Sequence, residues 1–165
     1  HPDPPLLPAD PHGRARVRMI SQMIGCDIHP VNNLRVLNML RSRFGADDAA
    51  VAEWFRHWVD ATFEPLEAIL TSDGKAGRYS HGDSVTLADL CLVAQIYNAR
   101  RWDADLAPFA RLVEIDARCQ EIEAIATGRS ESKRRNRADA KSFSGARLAT
   151  LDLTLFLGTL NGSMR

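Results

Sequence analysis

The first 128 residues carry apolar side chains at the three- and four-residue spacing that is typical of amphipathic helices. Asp10 and Pro11 indicate a helix N-terminus, because an aspartate can accept from the free amides there and a proline needs no partner for its nitrogen. The pattern that follows predicts a long helix ending near Arg43. Pro30 lies inside that helix and should kink or divide it.

A second helix is predicted directly after the first. Gly45 suits the left-handed residue that ends a helix. Asp47 or Asp48 then starts a helix with nearly pure 3.6-residue periodicity to about Leu70. We expect a bend at Pro65, which interrupts the hydrogen-bond ladder of this helix.

Thr86 and Asp89 have the spacing of a capping box, in which threonine and aspartate satisfy each other's backbone amides. The helix they open is apolar throughout the stretch 90–96, which predicts the central, buried helix of the fold. A last helix is expected from Ala107 to Cys119. Because no alternating strand pattern occurs before residue 128, the predicted fold class is all-α.

Both ends of the chain differ from this helical body. Five prolines among the first eleven residues predict that residues 1–9 form a linker of the interdomain type. The other end has a basic cluster, Lys133–Arg137, and leucines alternating at period two in Leu151–Leu157. We therefore predict a helical domain over residues 10–127 and an atypical, poorly ordered tail over residues 128–165.

Charge is divided unevenly along the 165 residues, although the formal net charge is zero. Residues 1–128 carry 13 basic and 18 acidic side chains, and residues 129–165 carry 8 and 3. The basic cluster Lys133–Arg137 could contact phosphates, but no aromatic residue is interleaved with it. We expect no nucleic-acid partner, since a solvated segment fits this composition better.

Cysteines and hydropathy suggest where the protein resides. Cys26, Cys91 and Cys119 form no close pair and lie within apolar helical patterns. We interpret them as reduced core thiols of a cytoplasmic protein. No apolar run is long enough to span a bilayer, so no membrane association is expected.

One helical face has candidate binding chemistry. His29, Asn32 and Arg35 would share one side of a continuous helix, with Leu34 and Leu37 on the other. An imidazole, an amide and a guanidinium can bind a carboxylate or a peptide backbone. Spacing alone favours the plainer interpretation, a solvated polar face.

Other motifs carry weaker chemical signals. Arg100 and Arg101 end the central helix, where its dipole accounts for one cation and the other could bind a carboxylate in a cleft. Cys26 and His29 have the spacing of half a metal site, but no second pair follows, so we expect no metal. No nucleophilic triad or phosphate-binding glycine loop is present, and no catalytic residue is predicted.

Several segments resemble, in order, those of the zeta-class glutathione transferases, the maleylacetoacetate and maleylpyruvate isomerases. These segments are Asp10–Met19, Cys26–Leu37, Trp54–Trp58, Thr86–Val93 and Tyr97–Trp102. The resemblance covers about residues 1–127. It implies the C-terminal helical domain of a family whose members begin with a thioredoxin-like, thiol-activating domain.

The resemblance also implies a function, the glutathione-dependent cis–trans isomerisation of maleyl keto acids. An example is maleylacetoacetate to fumarylacetoacetate in aromatic amino-acid catabolism. Arg101 would hold a carboxylate of this dicarboxylic substrate, Thr86 and Asp89 would cap the central helix, and the protein would be a homodimer. Four residues would contact the cofactor glutathione from the helical side: His29, Asn32, Asn33 and Arg35.

Because the thiol-activating domain is not part of this sequence, we expect the chain alone to be inactive. A truncated or frame-shifted gene product would explain both of its ends. The surface that would meet the first domain is expected to expose apolar residues of the first and central helices. The alternative function is a non-enzymatic protein–protein assembly module derived from a glutathione transferase.

Overall fold

The computed structural model describes residues 5–128, which form a helical bundle without a β-strand in that range. The all-α prediction is confirmed. A further helical stretch covers residues 123–128. The predicted tail, from residue 129 onward, and the first four residues of the predicted linker lie outside the described residues. The named elements are α1 (Pro11–Gln22), a π-helix (Met23–Ile28), α2 (His29–Val31), α3 (Leu34–Phe44), α4 (Asp48–Ser72), α5 (Leu87–Arg101) and α6 (Ala110–Cys119).

The first predicted helix is divided into several pieces. Asp10 caps α1 by accepting from the Gly13 amide at 2.7 Å. Pro30 has no amide hydrogen, and a wider-turned π-helix precedes the short α2 that contains it. The chain then leaves the helix at Asn32, and Asn33 is extended (φ −68°, ψ 145°). The first helical region therefore changes direction two residues after the proline.

The predicted end of α3 and the predicted start of α4 are confirmed by their caps. Gly45 is left-handed, with a φ of 68° that suits glycine, and it ends α3. Asp47 accepts from the Ala50 amide at 2.8 Å and starts α4. The helix continues through Pro65 to Ser72, and the bend expected at the proline stays a prediction.

The centre of the bundle is α5, as predicted. Every residue from Ala88 to Ala99 is buried, and this helix contacts α1, the π-helix and α6. Burial of apolar side chains on all sides of one helix is the main source of stability in a fold of this kind.

Contacts distant in sequence fix the remaining elements. The Glu67 carboxylate of α4 accepts from the amides of Arg111 and Leu112 at 2.8 and 3.0 Å, so it caps the N-terminus of α6. The Leu6 carbonyl accepts from the Leu87 amide at 2.9 Å. Leu6 and Leu7 also pack against the core. The described part of the predicted linker is thus attached to the start of α5.

Large apolar side chains are exposed on the outer helices. They are Met19 on α1 (42% exposed) and Met39 and Phe44 on α3 (55% and 77%). The expectation that the central helix would contribute to such a surface is wrong, because α5 is enclosed by its neighbours through Ala99. None of the helices within residues 5–128 is long and apolar enough to cross a membrane.

Candidate functional site

The segment His29–Arg35 does not form the single helical face predicted from its spacing. His29 is half-buried in α2, Asn32 is buried at the end of α2, and Arg35 is exposed in the first turn of α3. The helix break at Asn32 and Asn33 causes this difference, since the 100° rotation per residue applies only to a continuous helix. The three side chains remain on one short segment, and they face different environments.

Asn32 attaches this segment to α4. Its Nδ2 donates to the Phe55 carbonyl at 3.1 Å, and the side chain is 3% exposed. Beside it, the Trp54 indole donates to the Val31 carbonyl at 3.0 Å. The Asn32 Oδ1 is buried and accepts no hydrogen bond within the described residues. A buried acceptor without a donor costs about 1–3 kcal/mol, and a ligand N–H can supply the missing partner.

Asn33 has an evident structural role. Its Oδ1 accepts from the Arg35 amide at 3.1 Å, which makes Asn33 the N-cap of α3. This bond fixes the start of the helix that presents Arg35 to solvent. Asn33 thus has a structural role at the start of α3, as Asn32 has in the attachment to α4.

The two arginines at the end of α5 differ in their surroundings. The Arg100 Nη1 lies 2.5 Å from the Oδ2 of Asp116, a carboxylate buried between α5 and α6. The Arg101 guanidinium is half-buried and lies over the Tyr97 ring, 5.7 Å from its centroid. Burial lowers the pKa of Arg101, and Tyr97 opposes that change. Arg100 is therefore engaged in an ion pair within the bundle.

An aromatic pair connects the two candidate regions. The Phe55 ring stacks on the Trp102 ring, with centroids 4.8 Å apart and planes 12° from parallel. Phe55 is the residue whose carbonyl holds Asn32, and Trp102 follows Arg101 in the chain. The segment with Asn32 and the end of α5 with Arg101 thus meet at one turn of α4.

The capping box is present as predicted. The Asp89 Oδ2 accepts from the Thr86 amide and hydroxyl at 2.7 and 2.8 Å, and its Oδ1 accepts from the Ser80 amide at 2.7 Å. Asp89 is fully buried. It therefore joins the loop before α5 to the helix itself, which a cap formed by Thr86 alone could not do.

The cysteines depart in part from the prediction. Cys91 and Cys119 are buried, and burial raises the pKa of Cys91 to about 11 and also raises that of Cys119. Cys26 is exposed, so its assignment to the core is wrong. Ile24 and Ile28 occupy the inner face of the π-helix, and Cys26 lies between them on the outer face. Within residues 5–128, no cluster of three potential metal ligands occurs.

A cavity of about 300 Å³ lies away from the segment His29–Arg35 and from Arg101. It is lined by the described part of the linker and by the loop that precedes α5. Of the predicted site residues, the cavity lining includes Thr86 alone. The sequence did not identify Phe55, Tyr97 and Trp102 as parts of the candidate site. For Tyr97 a signal was available, namely its four-residue spacing from Arg101 on one helix.

Comparison with known proteins identifies the relatives of this chain. No family model matches it. It is 51% identical over 125 residues to a maleylpyruvate isomerase from Ralstonia sp., a match that covers 76% of this chain and 59% of that protein. A holo structure described as a zeta-class maleylpyruvate isomerase superposes with a TM-score of 0.73 at 51% identity, covering 74% of this chain and 57% of that one. By homology, the chain belongs to the zeta-class glutathione transferases.

A second solved member of the family carries ligands. The maleylacetoacetate isomerase of Anaeromyxobacter dehalogenans 2CP-1 holds dicarboxyethyl glutathione and citrate in its active site. It is 42% identical to this chain, with a TM-score of 0.69 over 74% of this chain and 54% of that one. The chain thus spans a little over half the length of these zeta-class relatives.

Proposed function

We propose that residues 10–127 form the helical domain of a glutathione-dependent isomerase of maleyl keto acids. The family relationship supports the reaction class. The observation that carries the assignment to this chain's own residues is the joint attachment of Asn32 and the Arg101 region to Phe55, through a 3.1 Å hydrogen bond and a 4.8 Å ring stack. Asn32 and Trp102, the residue next to Arg101, thus both contact Phe55, which supports a role of the two regions in one site.

The residues of the segment His29–Arg35 have the chemistry to bind glutathione. The buried Asn32 Oδ1 can accept from one of its peptide amides, and the exposed Arg35 guanidinium can pair with one of its carboxylates. His29 and Asn33 lie on the same segment, and Asn33 holds Arg35 through the cap of α3. Glutathione, when bound, supplies a thiolate that adds reversibly to the substrate double bond so that the cis bond can rotate.

Arg101 would bind a carboxylate of the keto acid. Its partial burial strengthens such a pairing, because the local dielectric is lower than that of water. No residue of the described part is assigned a proton-transfer or nucleophilic role, and we propose that the chain alone is inactive. The protein is, in this proposal, a cytoplasmic homodimer that binds neither nucleic acid nor a membrane.

Calorimetric titration of glutathione into the 165-residue chain tests this assignment. We expect binding in the micromolar to low millimolar range that is lost in Arg35→Ala. Arg41→Ala is the matched control, since Arg41 also lies on α3 but pairs with Asp48 at 3.0 Å. No binding heat from a chain shown to be folded by circular dichroism would contradict the proposal.

The exposed apolar side chains favour a second candidate, a non-enzymatic assembly module. Met39 and Phe44 lie on α3 and Met19 on α1, which together expose apolar area that a protein partner could cover. Analytical ultracentrifugation separates the two functions. An assembly module would form a stable complex that Phe44→Ser disrupts, without affinity for glutathione.

A further inference from the structure

We infer that Trp54 is a positioning residue for glutathione binding, because its indole keeps the helix open between Val31 and Arg35. This role rests on the proposed function, and it adds to that function a residue of α4 that acts through the segment His29–Arg35. At the point where the first helical region breaks, two side chains replace one backbone hydrogen bond.

The replaced hydrogen bond is the one that a continuous helix forms between residues 31 and 35. In an α-helix the Val31 carbonyl accepts from the amide four residues later, which is that of Arg35. Here the Arg35 amide donates to the Asn33 Oδ1 at 3.1 Å. The Val31 carbonyl accepts from the Trp54 Nε1 at 3.0 Å. Asn33 and Trp54 thus satisfy the two backbone groups that separate at the break, so the open conformation leaves neither group without a partner.

The break matters for binding because it sets the directions of two side chains. In a continuous helix Asn32 and Arg35 lie about 60° apart around the axis, so both would face the same side. In the structure Asn32 is buried against Phe55, whereas Arg35 is exposed. The open helix therefore lets Asn32 anchor the segment in the bundle while Arg35 stays available to a carboxylate of glutathione.

Trp54 is well placed to hold this break. It is half-buried on α4 and precedes Phe55, whose carbonyl accepts from the Asn32 Nδ2 at 3.1 Å. The Trp58 ring packs against Trp54 edge to face, with centroids 5.7 Å apart and planes 63° from parallel. This contact restricts the orientation of the Trp54 indole. The donor that holds the segment thus comes from the 25-residue helix α4 and not from the segment itself.

Calorimetric titration of glutathione into the 165-residue chain and two tryptophan variants tests the role. Trp54→Phe removes the indole N–H and keeps an aromatic ring, and we expect it to weaken glutathione binding about fivefold. Trp58→Phe is the matched control. Trp58 is half-buried one turn away on α4, and its Nε1 has no hydrogen-bond partner among residues 5–128. This variant should bind glutathione as the wild type does. Equal affinities in the two variants would overturn the positioning role.

A third substitution separates positioning from a general loss of stability. Leu34 is the first residue of α3, where proline is favoured, and a proline there keeps Asn33 in the extended conformation that it already has. Leu34→Pro therefore holds the break open without the indole. In the Leu34→Pro background, Trp54→Phe should leave glutathione binding unchanged. The same fivefold loss in that background would show that the indole does not act through the break.

The ¹³Cα chemical shift of Asn33 reports on the break without any ligand. Extended and helical residues differ in this shift, so it should move toward the helical range in Trp54→Phe and stay in place in Trp58→Phe. An unchanged shift in Trp54→Phe would overturn the role of the indole and leave the proposed function intact. If the wild-type chain binds no glutathione, the proposed function fails together with the binding role of Trp54, and the Asn33 shift still decides whether Trp54 holds the break.

Discussion

The central helix α5 and the segment Met23–Arg35 differ in how regular and how exposed they are. In α5, residues Ala88–Ala99 are all buried, and the buried Asp89 fixes the start of the helix. The segment changes from a π-helix to α2 and then breaks, which leaves Cys26 and Arg35 exposed. Regular geometry lets α5 bury every side, whereas the irregular segment changes its helical geometry and displays polar groups in several directions.

The difference shows how stability and binding are divided in this domain. The segment gains its fixed position from α4, through the hydrogen bonds of Asn32 and Trp54. The C-terminal end of α5 reaches the same turn of α4 through Trp102. Both regions therefore contact Phe55. Substitutions in each region should show which residues matter for folding and which for ligand binding.

Asp89→Ala should have the largest effect on stability, a loss of about 3 kcal/mol. It leaves the Ser80 amide and the Thr86 amide and hydroxyl without their buried acceptor. Urea unfolding followed by circular dichroism gives the value. Asp47→Ala is the control, because it removes an exposed cap of α4 and should cost about 1 kcal/mol. Equal losses from the two substitutions would contradict the central role of the buried cap.

Arg100→Ala should cost about 2 kcal/mol, because it leaves the buried Asp116 carboxylate without its cation. Gln120 still donates to the other oxygen of Asp116 at 3.1 Å, which limits the loss. The affinities for glutathione and for malonate, a dicarboxylate without a double bond, should be unchanged. The measurement is again the urea midpoint, combined with calorimetry.

The neighbouring Arg101→Ala is the counterpart of that substitution. It should abolish malonate binding. A variant pair in which Arg100→Ala loses malonate binding while Arg101→Ala retains it would reverse the assignment of the two arginines.

Local sequence signals predict the ends of the regular helices better than they predict the irregular segment Met23–Arg35. The capping box, the left-handed Gly45 and the Asp47 cap each depend on residues within a few positions of one another, and all three were predictable. Pro30 predicted a division of the first helix, but the inward turn of the Asn32 side chain could not be predicted, because it depends on the Phe55 carbonyl 23 residues away. The cap of α6 by Glu67 likewise joins residues more than 40 positions apart.

The exposure of Cys26, by contrast, could have been predicted. Cys26 lies two residues from both Ile24 and Ile28, about 200° around a helix, and so opposite the buried face that these two residues form. The candidate site differs in this respect. Its chemistry could be predicted residue by residue, whereas the meeting of Asn32, Phe55 and Trp102 depends on packing between helices.

Asn33→Ala should have a small effect on stability, about 1 kcal/mol, and it tests whether the irregular segment binds through its backbone geometry or through this side chain. The substitution removes the Oδ1 that accepts from the Arg35 amide and so loosens the first turn of α3. Asn33→Ser retains a capping oxygen but removes the amide group. If Asn33 acts through the cap, glutathione binding should weaken in Asn33→Ala and recover in Asn33→Ser, in parallel with the urea midpoint. Weak binding in both variants, with stability restored in Asn33→Ser, would instead indicate that the Asn33 amide contacts glutathione directly. The irregular segment would then contribute a side-chain contact where the structure shows a helix cap.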